Sequence, residues 1–273
     1  MSPKARGQHS DHLSSPKGAR PAQVRLDLIL VERGLAPSRE RAQALLLAGH
    51  VRVNGTPATK AGARVAPDAR IELTGKPLPY ASRGGLKLEG ALEDFGVTVQ
   101  AKICLDVGSS NGGFTDCLLQ HGARKVYAVD VTIDQLAWKL RQDTRVVPLE
   151  RNARYLRRED IGEAVERIVV DVSFISVCKV LPALVPLAEP AADFLILIKP
   201  QFEVERGEVG KGGIVREPAL HQKSIDRVTK AAVEAGLESV AVRASRIAGA
   251  EGNQEFFLHA RRREWLKMLA PRR

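Results

Sequence analysis

The stretch that most constrains this chain is Leu105–Thr115, LDVGSSNGGFT. An apolar run over Ile103–Val107 carries one acidic residue, Asp106. It leads into a glycine-rich turn and then into the start of a helix, Phe114–Gln120. Strand, glycine-rich turn and helix form a cradle for a nucleotide or cofactor. Gly108, Gly112 and Gly113 allow turn geometries closed to other residues and a close approach by a ligand.

Elimination narrows the cradle. A phosphate-binding loop needs Lys and then Ser or Thr after its second glycine. Here Gly113 is followed by Phe114 and Thr115, so the phosphate-gripping lysine is missing. The dinucleotide pattern G-x-G-x-x-G fails because position 110 is Ser110. A second acidic residue, Asp130, closes the next apolar strand, KVYAVD, where a carboxylate can bind both hydroxyls of a ribose. A nucleoside cofactor with a ribose and no phosphate suits such a loop, and S-adenosylmethionine meets that description. An ordinary strand–helix turn with packing glycines is the alternative.

With 273 residues the chain has room for two domains with their own cores. A hydrophobic content of 44% and a charged content of 27% are those of a soluble globular protein. The net charge of +10 points to a polyanionic partner, either nucleic acid or an anionic membrane surface. Aromatic residues make up only 4%, which rules out widespread stacking on single-stranded bases. Cys104, Cys117 and Cys178 lie in apolar surroundings without C-x-x-C spacing and read as reduced core residues. The histidines show no paired metal-ligand spacing, so no metal is expected. No apolar run is long enough to span a membrane and the N-terminus lacks the apolar core of a signal peptide, so the expected compartment is the cytoplasm. The basic charge favours a monomer.

Residues 1–23 are rich in Ser, Pro, Gly, Lys and Arg and read as a disordered basic tail. From Val24 the pattern becomes amphipathic. A short helix is expected over Arg25–Arg33, ended by Gly34, and a second over Arg39–Ala48, capped by Ser38 and stopped by Gly49. Val51–Gly55 alternates and turns at Asn-Gly, a strong hairpin signal, and Ala63–Leu73 holds a further strand after a Pro67-Asp68 turn. Arg39 and Arg41 fall in the first turn of the second helix, where cations oppose the helix dipole unless an anion accompanies them. A phosphate contact and a pair of solvated arginines both remain open there. The module over residues 24–74, with Arg25-Leu-Asp-Leu, Ser38-Arg39, Ala42, Gly49-His50-Val51 and Val53-Asn54-Gly55, resembles an S4 RNA-binding domain. That resemblance implies docking onto shaped RNA, with Arg25, Arg39 and Arg41 as phosphate contacts.

Residues 75–81 are rich in Pro and Gly and read as a linker. Ser82 then caps a helix running through Phe95. From Ile103 onward strands and helices alternate. Strands are expected at Ile103–Val107, Lys125–Val129, Arg145–Val147, Ile168–Val172 and Phe194–Ile198. Runs such as IVVDV and FLILI suit parallel strands buried on both faces. A helix over Ala219–Ala235 precedes two strands, Ser239–Ser245 and Glu255–Ala260. The pattern predicts an α/β domain with a mainly parallel, doubly wound sheet ending in an antiparallel hairpin. A long charged loop, Glu203–Glu217, reads as a lid or substrate loop. Residues 263–273 form a basic C-terminal tail.

Ligands in this architecture bind at the carboxyl ends of the parallel strands. Asp171 is expected to close the fourth strand and Lys199 to follow the fifth. A lysine just past a strand as apolar as FLILI is unusual unless it is paired or faces a cleft, although a plain surface lysine is the simpler account. Residues 82–262 resemble the FtsJ/RrmJ-type ribose 2′-O-methyltransferases, which share the Rossmann-like class I methyltransferase fold. With the S4-like module attached, Arg25–His259 resembles the TlyA family, S4-linked rRNA 2′-O-methyltransferases also labelled haemolysins. The motifs that carry this are SRGGLKL, DVGSSNGGFT, DVSF, IKPQFE, GKGG and GNQEFF, in that order along the chain.

The resemblance implies a Lys-Asp-Lys-Glu tetrad, which falls on Lys87, Asp171, Lys199 and Glu255. It implies S-adenosylmethionine contacts along Asp106, Gly108, Ser109, Ser110, Asn111, Gly112, Gly113 and Phe114, and at Asp130 and Asp171. The adenine-edge contact falls to Asn152 or Glu150. Arg83, Arg206 and Lys211 are implied RNA-phosphate contacts, and the implied substrate is a ribose 2′-hydroxyl of rRNA, a cytidine by family, in naked RNA or ribosomal subunits. Two other readings differ in class: an RNA-binding assembly factor with an idle methyltransferase domain, and a lytic haemolysin. The missing membrane elements stand against the second.

Overall fold

The computed structural model describes residues 23–36, 38–47, 49–74, 78–249 and 252–262. The tails expected at 1–23 and 263–273 lie outside these residues apart from Gln23, as does the start of the expected linker. The chain divides into two compact units, Met1–Pro77 and Leu78–Arg273.

In the first unit, β1 (Val24–Arg25) leads directly into α1 (Leu26–Glu32), and α2 (Arg39–Leu47) follows. The strands β2 (Val51–Val53), β3 (Thr56–Pro57), β4 (Arg64–Val65) and β5 (Ile71–Leu73) complete it. The order β3-β2-β5 makes a small antiparallel sheet, and β1 pairs antiparallel with β4. The first helix starts at Leu26 rather than Arg25 because Val24 and Arg25 are extended against Val65 and Arg64. Asn54 and Gly55 both take positive φ, 50° and 80°, the geometry of a tight two-residue hairpin turn. Leu26, Ile29, Leu30, Ala42, Leu46 and Val51 form the core at the helical spacing of α1 and α2.

The second unit begins with α3 (Gly84–Phe95) and alternates through β6 (Ile103–Val107), α4 (Gly113–Gln120), β7 (Lys125–Asp130), α5 (Trp138–Arg141) and β8 (Val146–Glu150). It continues with α6 (Arg158–Ile161), β9 (Val165–Val170), α7 (Leu181–Leu184), β10 (Ala188–Ile198), α8 (Pro200–Glu203), α9 (Pro218–Glu234), β11 (Leu237–Ala244) and β12 (Phe256–Arg262). One seven-stranded sheet has the order β11-β12-β10-β9-β6-β7-β8. Its first five strands in sequence are parallel, and β12 pairs antiparallel with both β10 and β11. Apolar side chains on both sheet faces feed two cores, one led by Leu105, Ile168, Phe194 and Ile196, the other by Leu88, Leu118, Val126 and Phe257. No helix among the described residues is long and apolar enough to cross a membrane.

Several element ends differ from the sequence expectation. Ser82 does not cap α3; Arg83 stands at the cap position, and the Ser82 hydroxyl accepts a bond from Gly84 N at 3.2 Å. The fourth strand runs Val165–Val170, so Asp171 lies just past it, with its N–H donating to Val107 O at 2.8 Å. The strand ending at Ile198 starts at Ala188, because an irregularity between Ala188 and Asp193 absorbs Pro190. The last strand starts at Phe256, which leaves Glu255 in the loop before it. The loop after Glu203 contains tight turns at Arg206–Glu208 and Lys211–Gly213.

The chain crosses from one side of the sheet to the other between β6 and β9, which are hydrogen-bonded neighbours. Adjacent parallel strands whose connections leave in opposite directions open a crevice at their carboxyl ends. Asp106, Gly108, Asp130, Asp171 and Lys199 all belong to that end of the sheet.

Candidate active site

The glycine-rich turn is fitted to its surroundings. At Gly108, φ is +89°, and a Cβ there would sit 2.4 Å from the carbonyl oxygen of Asp171. No side chain fits between the turn after β6 and the turn after β9. A Cβ on Gly113 would lie 2.2 Å from Ser82 Oγ and 2.9 Å from Gly85 N, so this glycine admits the start of α3. That contact, with the bond from Ala81 N to Asp116 Oδ2 at 2.7 Å, fixes the helix that carries Lys87.

A cleft of about 490 Å³ opens beside the turn, lined by Gly108, Ser110, Asp130, Asn152, Asp171 and Ser173 among others. Asp130 Oδ2 accepts from Ser110 N at 2.8 Å and Oδ1 from Val131 N at 2.7 Å. Thr132 N adds a longer third bond to Oδ1 at 3.4 Å, and since a carboxylate has about four acceptor sites, Oδ2 can still receive a ribose hydroxyl. Asn152 lines the same cleft, and its Oδ1 accepts from Arg154 N at 3.1 Å. Glu150 Oε2 lies 3.4 Å from Ile133 N.

The remaining residues of the turn sit differently. Asp106 is fully buried; Thr115 Oγ1 donates to its Oδ2 at 2.6 Å, while Oδ1 is buried with no hydrogen-bond partner. Burial pushes its carboxyl up to about 7, and the nearby Asp171 adds to the rise. Ser109 Oγ is likewise buried without a partner. Asn111 is exposed, with its Oδ1 accepting from Ser110 Oγ at 3.1 Å. Gly112 and Gly113 are buried, and Phe114 lies in the core stacked against Phe257, with ring centroids 6.2 Å apart. Buried polar atoms left unsatisfied beside a cleft cost stability unless a ligand or water completes them. The ribose-ready Asp130 in the cleft wall, a turn at Gly108 too close to Asp171 for any side chain, and the missing phosphate-gripping lysine fit a nucleoside without phosphates such as S-adenosylmethionine.

The four tetrad residues form two ion pairs. Lys199 Nζ lies 2.5 Å from Asp171 Oδ1 and donates to Ser173 Oγ at 2.7 Å. Lys87 Nζ donates to Glu255 Oε2 at 2.6 Å, with side-chain exposures of only 11% and 3%. Lys87 comes from α3, Asp171 from the end of β9, Lys199 from the end of β10 and Glu255 from the loop before β12. Ser173 and Phe174 are site residues that sequence reasoning leaves without a role. Phe174 is 93% exposed at φ +63°, a conformation that bulky residues avoid. The one signal in the sequence is their place in DVSF, directly after a strand that ends in Asp.

Glu203 is also unassigned by the sequence reading. It is buried, accepts from Ser176 Oγ at 2.6 Å and from Val177 N at 2.8 Å, and so ties α8 to the turn beyond Phe174. Asn253, 1% exposed, accepts from Val215 N at 2.9 Å and donates to Gly213 O at 2.8 Å, which fastens the Lys211–Gly213 turn. Arg206 and Lys211 are exposed on that loop, and Arg83 is exposed with Nη2 donating to Ala248 O at 3.3 Å. In the first unit, Arg25 and Arg39 do have an anion, but it is internal. Both bond to the buried Asp27 at 2.9 Å, and Gln43 adds a third donor at 3.1 Å. These donors hold the Asp27 carboxyl well below the usual carboxylate range. The side chain of Arg41 lies outside the described residues.

Comparison with known proteins places this geometry. The family model for FtsJ-like methyltransferase matches residues 80–262, and that for the S4 domain matches residues 24–71. The chain is 49% identical over 241 residues to the 16S/23S rRNA (cytidine-2′-O)-methyltransferase TlyA of Mycobacterium tuberculosis, covering 88% of this chain and 90% of the relative. It is 43% identical over 238 residues to Hemolysin A of Brachyspira hyodysenteriae, covering 86% and 99%. Among solved structures, a Streptococcus thermophilus protein described as a candidate hemolysin matches with a TM-score of 0.70 and 42% identity over 89% of this chain and 90% of that one. The chain therefore has relatives along nearly its whole length, S4 domain and methyltransferase domain alike, and it belongs to the FtsJ-like methyltransferase family as an S4-bearing member of its TlyA branch.

Proposed function

We propose that this protein transfers the methyl group of S-adenosylmethionine to a ribose 2′-hydroxyl of ribosomal RNA, with a cytidine as the target nucleotide and the S4 unit docking the RNA. The observation that carries this reading is Lys199, held 2.5 Å from Asp171 and 2.7 Å from Ser173, two residues that line the cleft. A ribose hydroxyl is a weak nucleophile at neutral pH, so its oxygen must be aligned and its deprotonated form favoured. Bound S-adenosylmethionine supplies a methyl carbon already activated by its sulfonium. Lys199 Nζ orients the 2′-hydroxyl and stabilises negative charge on its oxygen. Asp171, between cofactor and substrate, steers that ammonium. Lys87 and Glu255 complete the charge network. Asp130 binds the ribose hydroxyls of the cofactor, and Asn152 lies where the adenine edge is read. The exposed face of Phe174 offers a stacking surface for a base of the RNA.

Identity of 49% to an rRNA cytidine-2′-O-methyltransferase supports the substrate class, and the net charge of +10 supports a polyanion. The test is transfer of labelled methyl from S-adenosylmethionine to purified ribosomal subunits, with Lys199→Ala alongside. The expected result is incorporation at one nucleotide that blocks alkaline cleavage, reduced about 100-fold or more in Lys199→Ala while RNA binding persists. Cofactor binding without incorporation into either subunit would refute the assigned substrate. Loss of RNA binding in a folded Lys199→Ala protein would refute the role given to Lys199.

A further inference from the structure

A second cleft, of about 450 Å³, lies against the first. Its lining includes Arg154, Phe174, Lys179, Phe202 and Arg227. Phe174 and Ile175 line both clefts, so the two adjoin at the turn that also presents Ser173 to Lys199. The rings of Phe174 and Phe202 lie 5.4 Å apart, and Phe202 is three residues past Lys199.

The charges around this cleft are unbalanced. Arg154, Lys179 and Arg227 come from three separate segments: the turn after β8, the turn before α7, and α9. Among the described residues neither Arg154 nor Lys179 has a carboxylate partner, and both are exposed. Arg227 donates to Glu203 O at 2.5 Å. The Glu203 carboxylate faces inward to Ser176 and Val177, with the Arg227 guanidinium 4.0 Å away. Isolated surface cations are common and mean little. Three that converge from distant segments on one concavity, with Glu203 near Arg227 as the one carboxylate paired to any of them among the described residues, repel one another and raise the local potential for an anion.

We infer that Arg154, Lys179 and Arg227 form a cradle for the phosphodiester backbone of the RNA strand immediately beside the reacting nucleotide. This rests on the reading of the chain as an RNA 2′-O-methyltransferase. The occupant follows from the join between the clefts. A ribose whose 2′-oxygen meets Lys199 carries its own phosphates within one nucleotide of that point, and the adjoining second cleft presents Arg154 and Lys179, which have no carboxylate partner among the described residues. Such contacts position the strand and carry no sequence information. The cradle sets the register of the target ribose, while selection of the nucleotide is left to other contacts.

The experiment measures equilibrium binding of purified ribosomal subunits and methyl transfer for wild type, Arg154→Ala, Lys179→Ala and the double variant. Lys230→Ala is the control: it removes the same charge from an exposed site on α9, where Lys230 lies 3.9 Å from Glu234. Arg227 is left intact because it also bonds Glu203 O. Each phosphate contact removed lowers the salt slope of the binding constant by about 1, so the defect of each single variant shrinks about threefold between 50 and 200 mM salt. The expected result is weaker subunit binding and a higher KM in Arg154→Ala and Lys179→Ala. Affinity for S-adenosylhomocysteine stays at the wild-type value, and Lys230→Ala matches wild type.

Arg154→Ala and Lys179→Ala proteins that match Lys230→Ala in binding, KM and salt slope would overturn the cradle while leaving the methyl-transfer reading in place. Loss of S-adenosylhomocysteine affinity in both would also overturn it, by assigning the cations to the cofactor carboxylate. Wild-type protein that binds subunits, shows the slope loss in the variants and transfers no methyl would retain the cradle and refute the reaction.

Discussion

The Lys87–Glu255 pair gives the sharpest test of how the site is held. The two side chains are 11% and 3% exposed and meet at 2.6 Å. Glu255→Gln keeps the shape and removes the charge, which leaves the Lys87 ammonium buried beside a neutral amide. Breaking a buried pair from one side costs about 3–5 kcal/mol, because the surviving charge is uncompensated. For a unit of this size each kcal/mol lowers Tm by about 2–4 °C, so the melting of the larger unit should fall by roughly 6–20 °C. Lys87→Met should cost a comparable amount by stranding the carboxylate. The double variant carries no stranded charge, only one unsatisfied amide worth about 1–3 kcal/mol. A double-mutant cycle should therefore show a coupling of at least about 2 kcal/mol, with stability partly regained in the double. Urea unfolding supplies the energies, and methyl transfer measured in parallel should stay low in all three variants. A cost below about 1 kcal/mol for Glu255→Gln, with additive single effects, would refute the reasoning and make the pair an ordinary surface contact.

Two other perturbations test the cradle. Gly108→Ala forces a Cβ to 2.4 Å from Asp171 O at φ +89° and should cost about 2–5 kcal/mol from left-handed strain plus overpacking, with loss of S-adenosylhomocysteine binding; a stable variant that binds normally would contradict the fit described for this turn. Asp106, pushed up to about 7, holds its proton more tightly in the native state than in the unfolded one, so the stability of the larger unit should fall as pH rises from about 4 to about 7 and then level off, by up to about 4 kcal/mol. Asp106→Asn should flatten that slope in urea midpoints measured across the range, and an unchanged slope would show that another group is responsible.

The sheet is legible in the sequence because strands buried on both faces need continuous apolar runs. Ile103–Val107 and Phe194–Ile198 supply them. What escapes is set by packing between distant segments. The start of β10 is hidden because Glu189 and Pro190 break the apolar run, and only the irregular register beside β9 makes them compatible with a strand. The anion that accompanies Arg39 cannot be found by spacing along its own helix. It is Asp27, brought close by the packing of α1 against α2. The tetrad residues are legible by motif, yet their division into Lys199–Asp171 and Lys87–Glu255 appears only once α3 and the loop before β12 meet. Phe174 is the reverse case: composition makes aromatics scarce, and nothing local shows that one of them stands 93% exposed.

The two ion pairs differ in a way that bears on their proposed roles. Each brings one cation together with one carboxylate, so burial does not strand a net charge in either. Lys87–Glu255 is closed off, with both side chains nearly excluded from solvent. In Lys199–Asp171 the lysine is as buried as Lys87, at 10% exposure, and the pair opens to the cleft through its carboxylate: Asp171 keeps 19% of its side-chain exposure and lines the cleft with the exposed Ser173. A closed pair cannot exchange partners without a large desolvated gap, whereas an open one can trade a serine hydroxyl for a substrate oxygen at little cost. On the proposed reading, Lys87–Glu255 holds the walls of the site in place. Lys199 is the cation free to shift one hydrogen bond from Ser173 Oγ to the ribose 2′-oxygen. Asp171 stays beside it through that exchange because its backbone N–H is bonded to Val107 and its carbonyl is wedged against Gly108. The glycine turn that shapes the cofactor cleft and the lysine that meets the substrate are therefore mechanically joined through one residue, Asp171.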